Sequence, residues 1–142
     1  MSDEQLVFNG FAFPILSTVD YVLDGKDKKK PSQMFIADKE KRFLFSFDVE
    51  MKNLELMVSG KNDYEKLEIL YEGCRYCICY PRQEEKENLY MGYFSIEMKD
   101  EKERVHNCLG QLSISPPVKY IEGMKKYEDL KKIIYGIKLC EN

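Results

Sequence analysis

Apolar and polar residues alternate with a period of two along much of this chain, most clearly in Phe43-Leu44-Phe45-Ser46-Phe47-Asp48-Val49-Glu50-Met51. Phe43, Phe45, Phe47, Val49 and Met51 fall on one side and Ser46, Asp48 and Glu50 on the other, which is the pattern of a half-buried strand. Leu54 to Val58 continues the alternation, and Lys52-Asn53 is short enough to make the two runs a hairpin. After the turn formers of Ser59 to Asp63, Leu67, Ile69 and Tyr71 alternate with Glu68 and Leu70. Glu72-Gly73 then reverses the chain into Arg75 to Tyr80, whose aromatic, β-branched and cysteine content predicts a strand buried on both faces. Pro81 ends that run. A charged tip, Arg82 to Asn88, leads back into Leu89 to Met98, where Tyr90, Phe94, Ile96 and Met98 share a face. Lys99 to Arg104 is a further charged turn, followed by a strand within Val105 to Ile114.

Nearer the start, Leu6 to Phe13 reads as one strand interrupted by Pro14, and Ser17 to Leu23 as a second. Gly25 to Pro31 is too polar to pack and is expected to be an exposed loop. Met34 to Ala37 pairs with the Phe43 strand across Asp38 to Lys41. Beyond Pro116-Pro117 the period changes: Tyr127, Leu130, Ile133, Ile134 and Ile137 recur at helical spacing, with Lys125, Lys126, Glu128, Asp129, Lys131 and Lys132 opposite them. Gly136 lies inside this helix and costs about 1 kcal/mol relative to alanine.

These elements predict a single β-rich domain over 1–142, with strands across approximately 6–114 and one C-terminal amphipathic α-helix over approximately 122–140. The fold class is mainly β, an antiparallel meander forming a partly closed barrel or a two-sheet sandwich with the helix packed on it. In element order alone the outline resembles pleckstrin-homology-like and lipocalin-like barrels. The chain has no tryptophan, and therefore no Gly-x-Trp near its start.

Composition narrows the setting. The 142 residues are 44% hydrophobic, enough for a core without disulfides or metal. Charged residues, 33% of the chain, interrupt every apolar run, so no membrane span is expected. The start, Met1-Ser2-Asp3-Glu4-Gln5, lacks the basic and apolar order of a secretory signal. Five cysteines, an odd number in strand-like or helical contexts, read as free thiols of a reducing compartment, so a cytoplasmic location is expected. A net charge of −3 does not favour nucleic acid as a partner.

Cys74, Cys77, His106 and Cys108 are of zinc-ligand type, but in an extended strand Cys74 and Cys77 point apart, and the expectation is core cysteine with no metal. A thiol nucleophile, Cys77 or Cys79, would depend on His106, the one histidine. The carboxylate pairs Asp48/Glu50 and Glu68/Glu97 sit on polar strand faces, where solubility is the ordinary role. Lys28, Lys29 and Lys30, with Lys26, could meet an anionic surface but read as a solvated loop. Glycine-rich phosphate loops are absent, and no cofactor is implied.

Ten tyrosines remain to be explained. Tyr71, Tyr76, Tyr80, Tyr90 and Tyr93 fall on neighbouring strands, next to the charged tip. Tyrosine buries area at low entropic cost and keeps a polar end, which suits an interface. The expected binding site is therefore Tyr76, Tyr80, Arg82, Glu84, Glu85, Tyr90 and Tyr93. The expected function is a non-catalytic module for an unknown protein partner, of the inhibitor or immunity type that occludes what it binds. The alternative is a small-ligand or lipid-binding β-barrel with its cavity lined by Phe43, Phe45 and Phe47.

Overall fold

The computed structural model of the chain describes residues 5–27, 29–51, 64–71, 73–81 and 91–140. The strands are β1 (Gln5–Phe8), β2 (Phe11–Pro14), β3 (Val19–Asp24), β4 (Gln33–Asp38), β5 (Phe43–Asp48), β6 (Tyr64–Tyr71), β7 (Cys74–Pro81), β8 (Met91–Lys99) and β9 (Val105–Ile114). Helices α1 (Tyr120–Lys126) and α2 (Glu128–Gly136) follow, and the two-residue strand β10 (Lys138–Leu139) comes last. The protein is mostly β and antiparallel. One sheet has seven strands in the order β3-β4-β5-β9-β8-β7-β6, and the other has three in the order β1-β2-β10.

Alternation places each strand's apolar residues as expected. In β5, Phe43, Phe45 and Phe47 are buried while Leu44 is exposed, and in β8 Phe94, Ile96 and Met98 are buried between half-buried Tyr93, Ser95 and Glu97. These inner residues merge with Phe8, Phe11 and Phe13 of the small sheet and with Leu130, Ile133 and Ile134 of α2 into one core. The helices and small sheet thus lie on one face of the large sheet, an arrangement consistent with a sandwich.

The large sheet runs from β3 to β6, the barrel is not closed, and of the two expected arrangements the two-sheet sandwich is the consistent one. Three expectations are corrected. The single meander is two: β3-β4-β5 and β6-β7-β8-β9, joined where β5 pairs antiparallel with β9, Phe43 opposite Ile114 and Phe47 opposite Gly110. Leu6 to Phe13 is a hairpin rather than one strand, because Asn9 and Gly10 adopt φ of 51° and 82° and turn the chain so that Phe8 opposes Phe11. Consecutive left-handed residues of this kind match the twist of paired strands, and Asn-Gly is the favoured pair for them. Finally, the C-terminal helix is two helices, broken at Tyr127, whose φ of −110° and ψ of 95° are extended. Its buried side chain explains the break: the Tyr127 hydroxyl donates to the Ser115 carbonyl at 3.2 Å, and its ring lies under the Arg42 guanidinium at 5.1 Å. The hairpin partner expected at 54–58 and the start of the strand expected at 89–90 lie outside the described residues.

Gly136 ends α2 against β2: a Cβ there would sit 2.8 Å from Pro14 Cγ, so its cost in helix propensity goes with a close approach. Immediately after it, Ile137 leaves the helix and β10 pairs with β2, Lys138 opposite Ala12 and Leu139 opposite Phe11. That pairing sets the last described segment across one end of the large sheet.

Candidate functional site

Where β6 turns into β7, the inner face of the large sheet and the C-terminal segment leave a cleft of about 230 Å³ between them. Cys74, Tyr76 and Met98 line it from the sheet, Cys74 lying directly opposite Met98 in the β7–β8 register. Tyr135, Ile137 and Leu139 line it from the other side. Gly73, at φ 79°, makes the β6–β7 turn beside it. The ring of Tyr71 stacks on that of Tyr135 with centroids 4.3 Å apart and planes 19° from parallel. Tyr76 approaches the same Tyr135 ring at 6.1 Å, so three aromatic rings meet here. Lys99 and Lys138 border the cleft through their strands and have exposed side chains, but Lys99, next after Met98 in β8, falls on the outer side of the large sheet. Glu103, not a lining residue, is 4.0 Å from Lys99 Nζ.

Inside, burial pushes the Cys74 thiol up, and the Tyr76 hydroxyl donating to its sulfur partly opposes this. Burial, then the Cys74 bond, raises Tyr76 well above the ordinary phenol range. A nucleophilic thiol needs the reverse, a depressed pKa. The cleft is therefore a recess of aromatic and aliphatic side chains around an unactivated thiol, chemistry that suits binding.

The expected tyrosine surface is placed differently. Tyr76 is buried in the core, and Tyr80, on the same side of β7, packs against Tyr120 at 5.4 Å while its hydroxyl bonds to Glu65. Tyr93 lies on the opposite face of the large sheet, its ring 6.1 Å from that of Tyr64. The structure does not bring these three together on one surface. Arg82, Glu84, Glu85 and Tyr90 lie outside the described residues. On the face expected to line a ligand cavity, Phe45 lies 5.6 Å from Phe47 and 5.4 Å from Phe94, ring packed on ring.

All five cysteines are free. Cys74 and Cys77 occupy opposite faces of β7, and among the described residues no three of histidine, cysteine, aspartate or glutamate gather as a metal site. His106 lies on the inner side of β9, opposite Met98, and its Nε2 is 2.9 Å from Asp100 Oδ2. Cys77 and Cys79 are on the outer side, so neither pairs with it. Asp100 is held well below the ordinary carboxylate range, first by His106 and then by the backbone and side chain of Arg104. Glu68 is likewise lowered, by Lys66 first, with Arg75 adding 2.6 Å contact; acid catalysis asks for the opposite shift. Asp48 accepts from Gln33 and from the Glu50 amide. Lys26, Lys29 and Lys30 are exposed, and Lys28 lies outside the described residues.

Tyr135, Lys99 and Lys138 were not singled out from sequence, because what unites them is the docking of the C-terminal segment. Tyr135 neighbours the apolar stripe of α2 without belonging to it, which was the available signal. Among the described residues no helix is long and apolar enough to cross a membrane. Comparison with protein-family models, with curated proteins and with solved structures finds no match.

Proposed function

We propose that this chain is a non-catalytic protein-binding module that acts by occlusion, and that its recognition site is the cleft at Tyr71 and Tyr135. The stacked pair carries the reading. Two rings held at 4.3 Å by a strand end and a helix end form a rigid aromatic platform beside the recess of Cys74, Tyr76 and Met98. Interfaces concentrate their energy in such anchors, since a tyrosine already held in place loses little entropy on binding. The thiol in the recess supports binding rather than chemistry, being raised rather than activated.

Affinity capture from the source organism tests this. Wild-type bait should retain a protein that Tyr71→Ala and Tyr135→Ala each lose at least fivefold, while Val7→Lys, on the small sheet, keeps it. Circular dichroism and thermal melts establish that the baits are folded. Equal recovery by all four baits would remove the cleft from recognition.

A further inference from the structure

We propose that β6 joins a second copy of this chain edge to edge, the two strands antiparallel about a two-fold axis at Leu67, so that the large sheets of the two copies become one. The inference is separate from the cleft reading, since Tyr71 falls beyond the residues that pair.

An open edge is its first support. Among the described residues, β6 has β7 on one side and no strand on the other. An antiparallel strand directs every second residue's N–H and C=O away from its neighbour, so an end strand keeps a row of them able to pair with another chain. Such edges are ordinarily short, or interrupted by proline or a bulge. β6 is eight residues long, has no proline, and pairs with β7 without interruption from Tyr64 opposite Pro81 to Tyr71 opposite Cys74. The other sheet ends are shorter: six residues in β3, four in β1 and two in β10.

Register and charge then select the occupant. A two-fold axis between antiparallel strands stands normal to the sheet, so outer residues face outer ones and one residue lies opposite itself. Lys66, Glu68 and Leu70 alternate onto the outer side of β6, and Leu67 and Ile69 onto the inner side with Ile78 and Tyr76. Axes at Leu67 and at Glu68 are the two that pair seven of the eight residues. The axis at Glu68 sets that carboxylate against itself. The axis at Leu67 sets Lys66 against Glu68 of the second copy and Glu68 against its Lys66, while Leu70, 79% exposed, meets its Tyr64. Opposite charges facing each other across a strand pair stabilise it, and like charges oppose it. Within one chain Lys66 Nζ is already 3.2 Å from Glu68, and Arg75 lies 2.6 Å from the same oxygen, so the second copy extends an alternating row of charges. Lysine ordinarily guards an edge against its own copy, but in this register it meets a carboxylate. β3 offers no such match: its charged residues are Asp20 and Asp24, and an axis at Val22 sets one against the other. Pairing through β6 alone closes after two copies.

Sedimentation equilibrium of the full chain, from micromolar to millimolar concentration, should show a reversible rise to twice the mass of one chain. Lys66→Glu and Glu68→Lys each bring like charges together at both symmetric positions and should weaken the dimer at least tenfold. Mixed in equal amounts, the two variants bring opposite charges together at both positions and should associate within threefold of the wild-type affinity. Mixing leaves the ion pair inside each chain broken, so recovery reports contact between copies. Val22→Lys, on β3, should dimerise as the wild type does. Circular dichroism establishes that each variant is folded. Leu67→Cys reads the register even where a charge variant fails to fold: a mild oxidant should link it to its own symmetry mate as a covalent dimer, while Ile69→Cys and the wild type stay unlinked. A monomer throughout that range, a dimer indifferent to the charge reversals, or variants that do not recover on mixing would each overturn the proposal. So would loss of the dimer in Val22→Lys, linkage of Ile69→Cys in place of Leu67→Cys, or growth beyond two copies.

Discussion

A Cβ on Gly110 would lie 2.2 Å from the Ser46 carbonyl oxygen and 2.9 Å from a ring carbon of Phe47, distances that side chains do not reach without displacing the backbone. The register explains the glycine. Leu67, Ile78, Phe94, Gly110, Phe47 and Met34 form one row across the inner face of the large sheet. With no side chain at Gly110, the rings of Phe94 and Phe47 meet edge to face across β9 at 6.4 Å. Gly110→Ala should lower the unfolding free energy by about 1–3 kcal/mol or more, as overpacking in a core does. Gly73→Ala, where nothing lies within 4 Å of the added Cβ and only φ of 79° is unfavourable, should cost about 1 kcal/mol. Urea unfolding of the two variants checks the order, and a Gly110→Ala protein as stable as wild type would mean that β5 and β9 do not pair in this register. Inner and outer positions were legible from alternation, as Phe43, Phe45 and Phe47 illustrate. Gly110 was not, because a glycine flanked by Leu109 and Gln111 weakens a strand's signature for reasons that lie on another strand.

Among elements, the β4–β5 turn and the start of α2 are joined by a charge cluster. Asp38, 2% exposed, accepts two hydrogen bonds from Arg42, at 3.1 Å from Nε and 2.7 Å from the terminal nitrogen, and one from the Glu40 amide. Arg42 also lies 3.7 Å from Asp129, which accepts the Thr18 hydroxyl at 2.6 Å in the first turn of α2, the end that favours negative charge. Arg42→Met should leave the Asp38 carboxylate buried without its cation and cost about 3 kcal/mol, near the lower end for broken buried pairs because Arg42 is 30% exposed. Adding Asp38→Asn to that variant should recover part of the loss, and a thermal-melt double-mutant cycle measures the coupling. A cost below about 0.5 kcal/mol would place the pair with solvated surface bridges instead. From sequence, Asp38-Lys39-Glu40-Lys41 reads as an ordinary solvated turn, since Asp38 becomes buried only when distant elements dock. Two other elements were misread for different reasons. The Asn9-Gly10 turn carries a strong local signal, but unbroken apolar flanks masked it. The break at Tyr127 has no such signal, because tyrosine continues the helical stripe and the extended backbone follows from its contacts with Ser115 and Arg42.

For the whole molecule, local patterns predicted an antiparallel β fold with a helical end, while the order of strands escaped them. Pairing β5 with β9 joins Phe43 to Ile114, a contact between distant parts of the chain that neither turn residues nor alternation encodes. The cleft escaped for the same reason, its two sides coming from β6–β8 and the C-terminal segment. This nonlocal core sets how the protein responds to alkali. Cys77 and Cys108 lie on opposite faces of the large sheet, both buried, and both thiols are pushed up to about 12, by burial first. In the unfolded chain a thiol ionises near 8.5. The folded state therefore holds these protons where the unfolded state releases them, so the stabilisation is complete below about pH 8.5 and is lost as pH rises toward 12. For Cys108, the more deeply enclosed of the two, the loss between pH 8 and 9.5 is about 1 kcal/mol. Urea midpoints across that interval should fall for the wild type and fall less for Cys108→Ala, whose own lower starting stability does not affect the slope. Iodoacetamide at pH 8 should label both thiols far more slowly than glutathione. A flat wild-type profile with fast labelling would mean that the two thiols are open to solvent, contrary to their burial on both faces of the large sheet.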